Sequence, residues 1–120
     1  VLYQLLTTTR ENALLTGTPT DWLFLSDHGQ ETGDFINRAG HSTQTPSGFR
    51  IPLLFWSSDD APHMASNRPF RADGLSPLLL SLAGIHWLRE NPAENFASRD
   101  YRWHRPAISA HDPELPPSEK

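Results

Sequence analysis

The chain has 120 residues with a hydrophobic fraction of 37%, including four Trp and six Phe, enough for one small globular domain and against wholesale disorder. The net charge of −4 and the single Lys, with no basic run, exclude nucleic-acid binding through a basic surface. The absence of cysteine excludes a disulfide framework and a thiolate metal site.

Residues 1–15 carry apolar side chains at Val1, Leu2, Leu5, Leu6, Ala13 and Leu14, a helical stripe stopped by Gly17 and Pro19. Thr7, Thr8 and Thr9 weaken it, because β-branched side chains lose rotamer freedom in a helix. Residues 21–26 follow as a strand. Trp22, Leu23, Phe24 and Leu25 are consecutively apolar, which predicts cover on both faces, as in a parallel sheet. Residues 27–48 read as a loop broken by Gly29, Gly33, Gly40, Pro46 and Gly48. A loop of this length in a compact domain is usually functional or disordered, and its place after an Asp-His pair favours function.

Residues 49–57 form the second predicted strand, with Pro52 confined to its start or to a bulge because it donates no ladder bond. After a polar connection, Asp73 or Ser76 is suited to cap a helix whose first turn takes Pro77. Leu78, Leu79, Leu80, Leu82, Ala83 and Ile85 then predict a buried helix. Residues 96–108 are expected to add an edge strand that packs Trp103 on the body. The Pro-rich end is expected to fray, giving a division into 1–110 and a tail of 111–120. No apolar stretch is long enough to span a bilayer. The chain starts at Val1 inside a helical pattern and is expected to be a segment of a longer protein.

The densest chemistry lies in Ser26-Asp27-His28-Gly29, where a strand delivers a carboxylate and an imidazole at its carboxyl end. Ligands of open α/β sheets bind at that end. Two readings of the tripeptide stand side by side. Asp27 and His28 are metal ligands, or Asp-His-Gly is a plain turn in which Asp accepts backbone donors and Gly takes positive φ. His63 has no ligand partner at useful spacing; His86, His104 and His111 show no paired spacing for a second metal. Ser57, Ser58, Asp59 and Asp60 read as caps and turn residues.

The run Leu23-Phe24-Leu25-Ser26-Asp27-His28-Gly29 resembles the second metal-binding motif of the alkaline phosphatase/sulfatase superfamily. With Gly40-His41-Ser42, Ile51-Pro52-Leu53-Leu54-Phe55-Trp56 and the looser Asp73-Gly74-Leu75-Ser76-Pro77-Leu78, it is similar over roughly residues 1–88 to the phosphoethanolamine transferases that modify lipid A and related glycans. The family's Glu after the Gly is replaced by Gln30, with Glu31 next, and Thr32-Gly33-Asp34 stands near its Leu-Gly-Glu step.

The resemblance implies the C-terminal part of a three-layer α/β/α sandwich. It implies Asp27 and His28 as ligands of zinc (calcium or another divalent metal being the alternative) and His41 near the transferred phosphate as a catalytic hydrogen-bond donor or leaving-group acid. The Thr nucleophile and the acidic ligand would precede Val1. The donor would be a phospholipid and the acceptor an envelope glycolipid, at the periplasmic face of the bacterial inner membrane, with a membrane anchor also outside this chain. Exposed sheet edges would favour a homo-oligomer. The alternatives are a sulfatase or phosphodiesterase hydrolase of the same superfamily, and a non-catalytic relic or interaction module.

Overall fold

The computed structural model describes residues 1–59 and 68–107. His63, Asp60, His111 and the expected tail at 111–120 lie outside them. The chain mixes helices and strands in two compact units. One comprises Val1–Phe24 and Leu54–Tyr101; the other comprises Leu25–Leu53 with the described residues from Arg102 onward.

In the first unit, α1 spans Leu2–Thr16. It ends where the sequence predicts: Gly17 adopts a left-handed conformation, φ 63°, and its N–H bonds to the Ala13 carbonyl. The helix runs through the three threonines, and Thr9 Oγ1 bonds back to the Leu5 carbonyl at 2.9 Å. Of the predicted stripe only Ala13 is buried, while Val1, Leu5 and Leu14 are exposed.

Strand β1, Asp21–Leu25, pairs with β4, Leu53–Ser57. The residue before β1 meets the residue after β4: Ser58 N–H bonds to the Thr20 carbonyl at 2.9 Å, and Thr20 N–H to Ser58 Oγ at 2.8 Å. The strands therefore run in opposite directions, which corrects the parallel expectation. An unbroken apolar run fits either direction. Trp22 to Leu25 are half-buried, not covered on both faces. Pro52 sits just before β4, outside the ladder, as its missing N–H demands. The second strand starts later than expected, because Phe49 belongs to a helical turn.

Helix α3, Leu75–Leu82, has Gly74 at its N-cap position and no side-chain cap. Asp73 and Ser76 thus do not cap it: Asp73 lies in a 3-10 turn, Ala72–Gly74, and pairs with Arg71, while Ser76 is already helical. Only Leu78 is fully buried, and Leu79 and Ile85 are exposed, so the helix is amphipathic where an all-round apolar burial was expected.

No edge strand forms between residues 96 and 107; this stretch is turns and irregular chain. It supplies much of the core instead. Phe96 packs edge-on against Phe70 (centroids 5.1 Å) and Tyr101 (5.3 Å). Tyr101 Oη donates to the Pro69 carbonyl at 3.1 Å. The Arg68 guanidinium lies over the Tyr101 ring and donates to the Ser98 and Tyr101 carbonyls. A segment whose backbone groups bond to side chains and turns needs no ladder to be ordered.

In the second unit, the stretch read as a loop is partly regular. It holds β2, Glu31–Thr32, and β3, Ala39–Gly40, paired antiparallel with Glu31 opposite Gly40 and Thr32 opposite Ala39. The helical turn α2 follows at Pro46–Phe49, with Pro in its first turn. Trp103 is buried, as expected of it, though in no strand.

Candidate functional site

Leaving β1, the chain turns sharply at Ser26, whose hydroxyl donates to the His28 carbonyl at 2.8 Å. Asp27 Oδ1 accepts the His28 N–H at 3.0 Å, while the rest of the Asp27 side chain faces solvent, 88% exposed. The turn reading thus holds locally, since Asp27 does accept a backbone donor. It fails for the glycine. Gly29 is not among the positive-φ glycines, which are Gly17, Gly33, Gly40 and Gly84. Gly29 is required for close approach: a Cβ there would stand 2.0 Å from the Ser47 carbonyl oxygen and 2.5 Å from that of Arg50. Its N–H bonds to the Gly48 carbonyl at 2.9 Å.

The His28 ring is oriented by its Nδ1, which lies 2.9 Å from the Gly29 carbonyl oxygen. A carbonyl only accepts, so this contact requires the proton on Nδ1, and in the neutral ring that tautomer leaves the lone pair on Nε2. That arrangement is how metal-binding histidines are commonly fixed. Nε2 stands 3.8 Å from Asp27 Oδ1, so an imidazole nitrogen and a carboxylate oxygen, both donor types that zinc accepts, lie near each other. One carboxylate and one imidazole are donor types that zinc accepts, whereas calcium takes six to eight oxygens, so their number here leaves either site to be completed by other residues. Among the described residues no group of three or more His, Asp or Glu side chains is arranged around one point, so Asp27 and His28 make a pair of candidate ligands rather than a closed site.

His41 comes from the far side of the same excursion, directly after β3. Its ring meets the His28 ring edge-on, with centroids 4.4 Å apart and planes at 75°. The structure therefore gathers Asp27, His28 and His41 at one place, although thirteen positions separate the two histidines. His86 does not join them; its Nδ1 contacts Glu90 Oε2 at 3.0 Å across one helical-type turn. Ser57 and Ser58 act as the turn residues they resemble: Ser57 Oγ accepts the Asp59 N–H and Ser58 Oγ the Thr20 N–H. A cavity of about 310 Å³ opens in the first unit between Arg10, Ala13, Trp56 and Asp59, and none of the three site residues lines it.

The residue that sequence reasoning passed over is Glu31. Its side chain is 1% exposed. Oε1 accepts the N–H groups of Gly33, Asp34 and Phe35 at 2.8, 2.7 and 3.3 Å, and Oε2 accepts the Ser47 hydroxyl at 2.6 Å. The Ser47 hydroxyl bond, with further help from Thr45 and the backbone donors, outweighs burial and holds the carboxyl at about 2, against 4.5 for the free side chain. The available signal was an acidic residue two positions before a glycine. It predicts a local turn but not the reach to Ser47.

Comparison with known proteins bears on the same stretch. Neither a curated protein nor a solved structure gives a significant match. The sulfatase family model matches residues 12–85, more than half of the chain, and spans Asp27, His28, Glu31 and His41. The chain belongs to the sulfatase family, within the alkaline phosphatase/sulfatase superfamily of enzymes.

Proposed function

We propose that this chain contributes Asp27 and His28 as two ligands of a zinc ion, and His41 as a donor to the transferred phosphoryl group, in a phosphoethanolamine transferase-like enzyme. The observation that carries the reading is the meeting of His28 and His41 at 4.4 Å beside Asp27, with the His28 Nε2 lone pair left free by the Nδ1 contact to Gly29. The family membership supports the wider class, hydrolase or transferase of the superfamily.

Bound there, zinc supplies Lewis-acid polarisation of a phosphoryl oxygen and lowers the pKa of a coordinated hydroxyl. Asp27, exposed at the turn, offers a charged oxygen donor. His28 offers Nε2 because its Nδ1 proton is committed to Gly29. His41, edge-on to His28 and exposed, is free to donate to a phosphate oxygen or to the leaving oxygen. In this reading the Thr nucleophile and the remaining ligands come from outside the chain, and the intact protein is a three-layer sandwich acting on envelope lipid or glycan at the periplasmic face of the inner membrane. Phospholipid is the donor.

The test uses the protein from the longest reading frame that contains this segment. It is incubated with phosphatidylethanolamine vesicles and a lipid A acceptor, with and without a zinc chelator. Chelator-sensitive transfer that is lost in Asp27→Ala and His28→Ala supports the proposal. Hydrolysis of a sulfate ester without transfer moves the assignment to the hydrolase branch. Unchanged activity and metal content in both variants would refute the ligand roles.

A further inference from the structure

Four of the contacts that build the second unit converge on the residues next to His28 and His41. Gly29, adjacent to His28, is bonded through its N–H to the Gly48 carbonyl. Gly40, adjacent to His41 on one side, is the ladder partner of Glu31. Ser42, adjacent on the other side, is buried with its carbonyl packed so closely on Gly48 that a Cβ there would stand 1.7 Å from the oxygen. Ser47, next to Gly48, is bonded to the Glu31 carboxylate. The Glu31 side chain therefore links the turn at 33–35 to the helical turn that holds Gly29, while its backbone pairs with Gly40 beside His41.

We propose that Glu31 is the positioning residue that sets the His28 and His41 rings edge to face, by tying Ser47 of α2 to the β2–β3 turn. This rests on the reading of Asp27, His28 and His41 as the functional site. Its own claim is geometric: without the Glu31 carboxylate the two histidine-bearing arms separate, although neither ring touches Glu31. A neutral amide keeps one oxygen to accept the turn N–H groups and turns an NH2 donor toward the Ser47 hydroxyl, so Gln at this position preserves much of the arrangement. Alanine preserves none of it. The side chain's low pKa agrees with a carboxylate bonded on both oxygens.

The experiment compares the wild-type protein from the longest reading frame that contains this segment with its Glu31→Ala, Glu31→Gln and Ser47→Ala variants. It reads the nuclear Overhauser contact between the His28 and His41 ring protons, ZnCl₂ affinity by calorimetry, and amide exchange of Leu78–Leu82 as a control in the first unit. Glu31→Ala should abolish the ring contact and weaken zinc about tenfold or more, the range seen when groups outside the ligand shell are removed. Glu31→Gln should recover most of both, Ser47→Ala should fall between, and control exchange should not change. An unchanged ring contact in Glu31→Ala, or absence of that contact in the wild-type protein, overturns the proposal. Equal loss of control protection in Glu31→Ala and Glu31→Gln also overturns it, since the residue is then a general stability determinant. If the wild-type longest-frame protein shows the ring contact and binds no zinc, the metal reading alone is refuted, and the response of the contact to Glu31→Ala still decides the positioning role.

Discussion

Substitution of Gly29 by Ala is the sharpest probe of why the Asp-His-Gly step ends in glycine. The new methyl would lie 2.0 Å from the Ser47 carbonyl oxygen, 2.5 Å from the Arg50 carbonyl oxygen and 2.9 Å from the Gly48 carbonyl carbon. All three are backbone atoms, so no side chain can swing away, and the strand-turn and α2 must part by about 1 Å or more to reach ordinary contact distance. Overpacking of this kind costs about 1–3 kcal/mol. Loss of the 2.9 Å bond from Gly29 N–H to the Gly48 carbonyl adds about 1 kcal/mol. The expected cost is thus about 2–4 kcal/mol, localised in the second unit. Gly17→Ala provides the comparison, because Gly17 has φ +63° and a methyl added there meets nothing within 4 Å, leaving only conformational strain of about 1–2 kcal/mol. Urea unfolding gives the two costs, and amide exchange at Gly29 locates the first. A Gly29→Ala cost below that of Gly17→Ala, with exchange at Gly29 unchanged, would refute the close-approach argument.

The remaining expectations concern acid, the core and metal. The folded pKa of Glu31 is depressed to about 2, so the carboxylate contributes stability that is fully present above its ordinary value of 4.5 and is lost as pH falls from there toward 2. Urea midpoints measured between pH 6 and pH 2.5 should therefore fall less steeply in Glu31→Gln than in wild type; equal slopes would contradict the assignment. Among the described residues of the first unit Leu78 is the most buried, with 0% exposure, and Leu78→Ala should cost about 2–5 kcal/mol by urea unfolding. A loss under about 1 kcal/mol would mean that α3 is not a core element. In the protein from the longest reading frame that contains this segment, His28→Ala should reduce ZnCl₂ binding in calorimetry, and His86→Ala, whose ring faces Glu90, should leave it unchanged. The reverse order would move the metal to another place.

What the sequence disclosed was mostly local. Gly17 stopped α1, Pro52 marked the start of β4, and the Asp-His pair followed the first strand directly, because backbone freedom, a missing N–H and chain adjacency are each properties of one or two residues. Strand direction was not legible: Trp22 to Leu25 are apolar in either arrangement, and only the Thr20–Ser58 bonds decide it. The same limit hid the role of residues 96–107. Phe96 and Tyr101 signal burial, but burial achieved through Phe70, Arg68 and Pro69 contacts instead of a ladder depends on partners about thirty positions away. Glu31 was missed for a related reason. A charged residue among Gly and Asp reads as solvated turn, and its enclosure comes from Ser47, sixteen positions on.

The opposed run of β1 and β4 has a kinetic consequence. Because β1 and β4 are neighbours running in opposite directions, the site-bearing excursion leaves and re-enters the sheet on adjacent strands. Joining those ends across a slack chain of some 25–30 residues would cost about 3 kcal/mol in closure entropy. The excursion is not slack, however. It contains nested contacts of increasing span: Glu31 with 33–35, Glu31 with Gly40, Glu31 with Ser47, and Gly29 with Gly48. Each shortens the loop that the next must close. Assembly is expected to proceed from the β2–β3 turn outward, like a zipper pulled from its middle, with the strand pair sealed last. Pulse-labelled exchange that protects β1 and β4 before Gly33–Phe35 would contradict this order. In that view the chemistry-bearing turn is a nucleus on which the sheet closes, and a change made there alters how quickly the strands find each other.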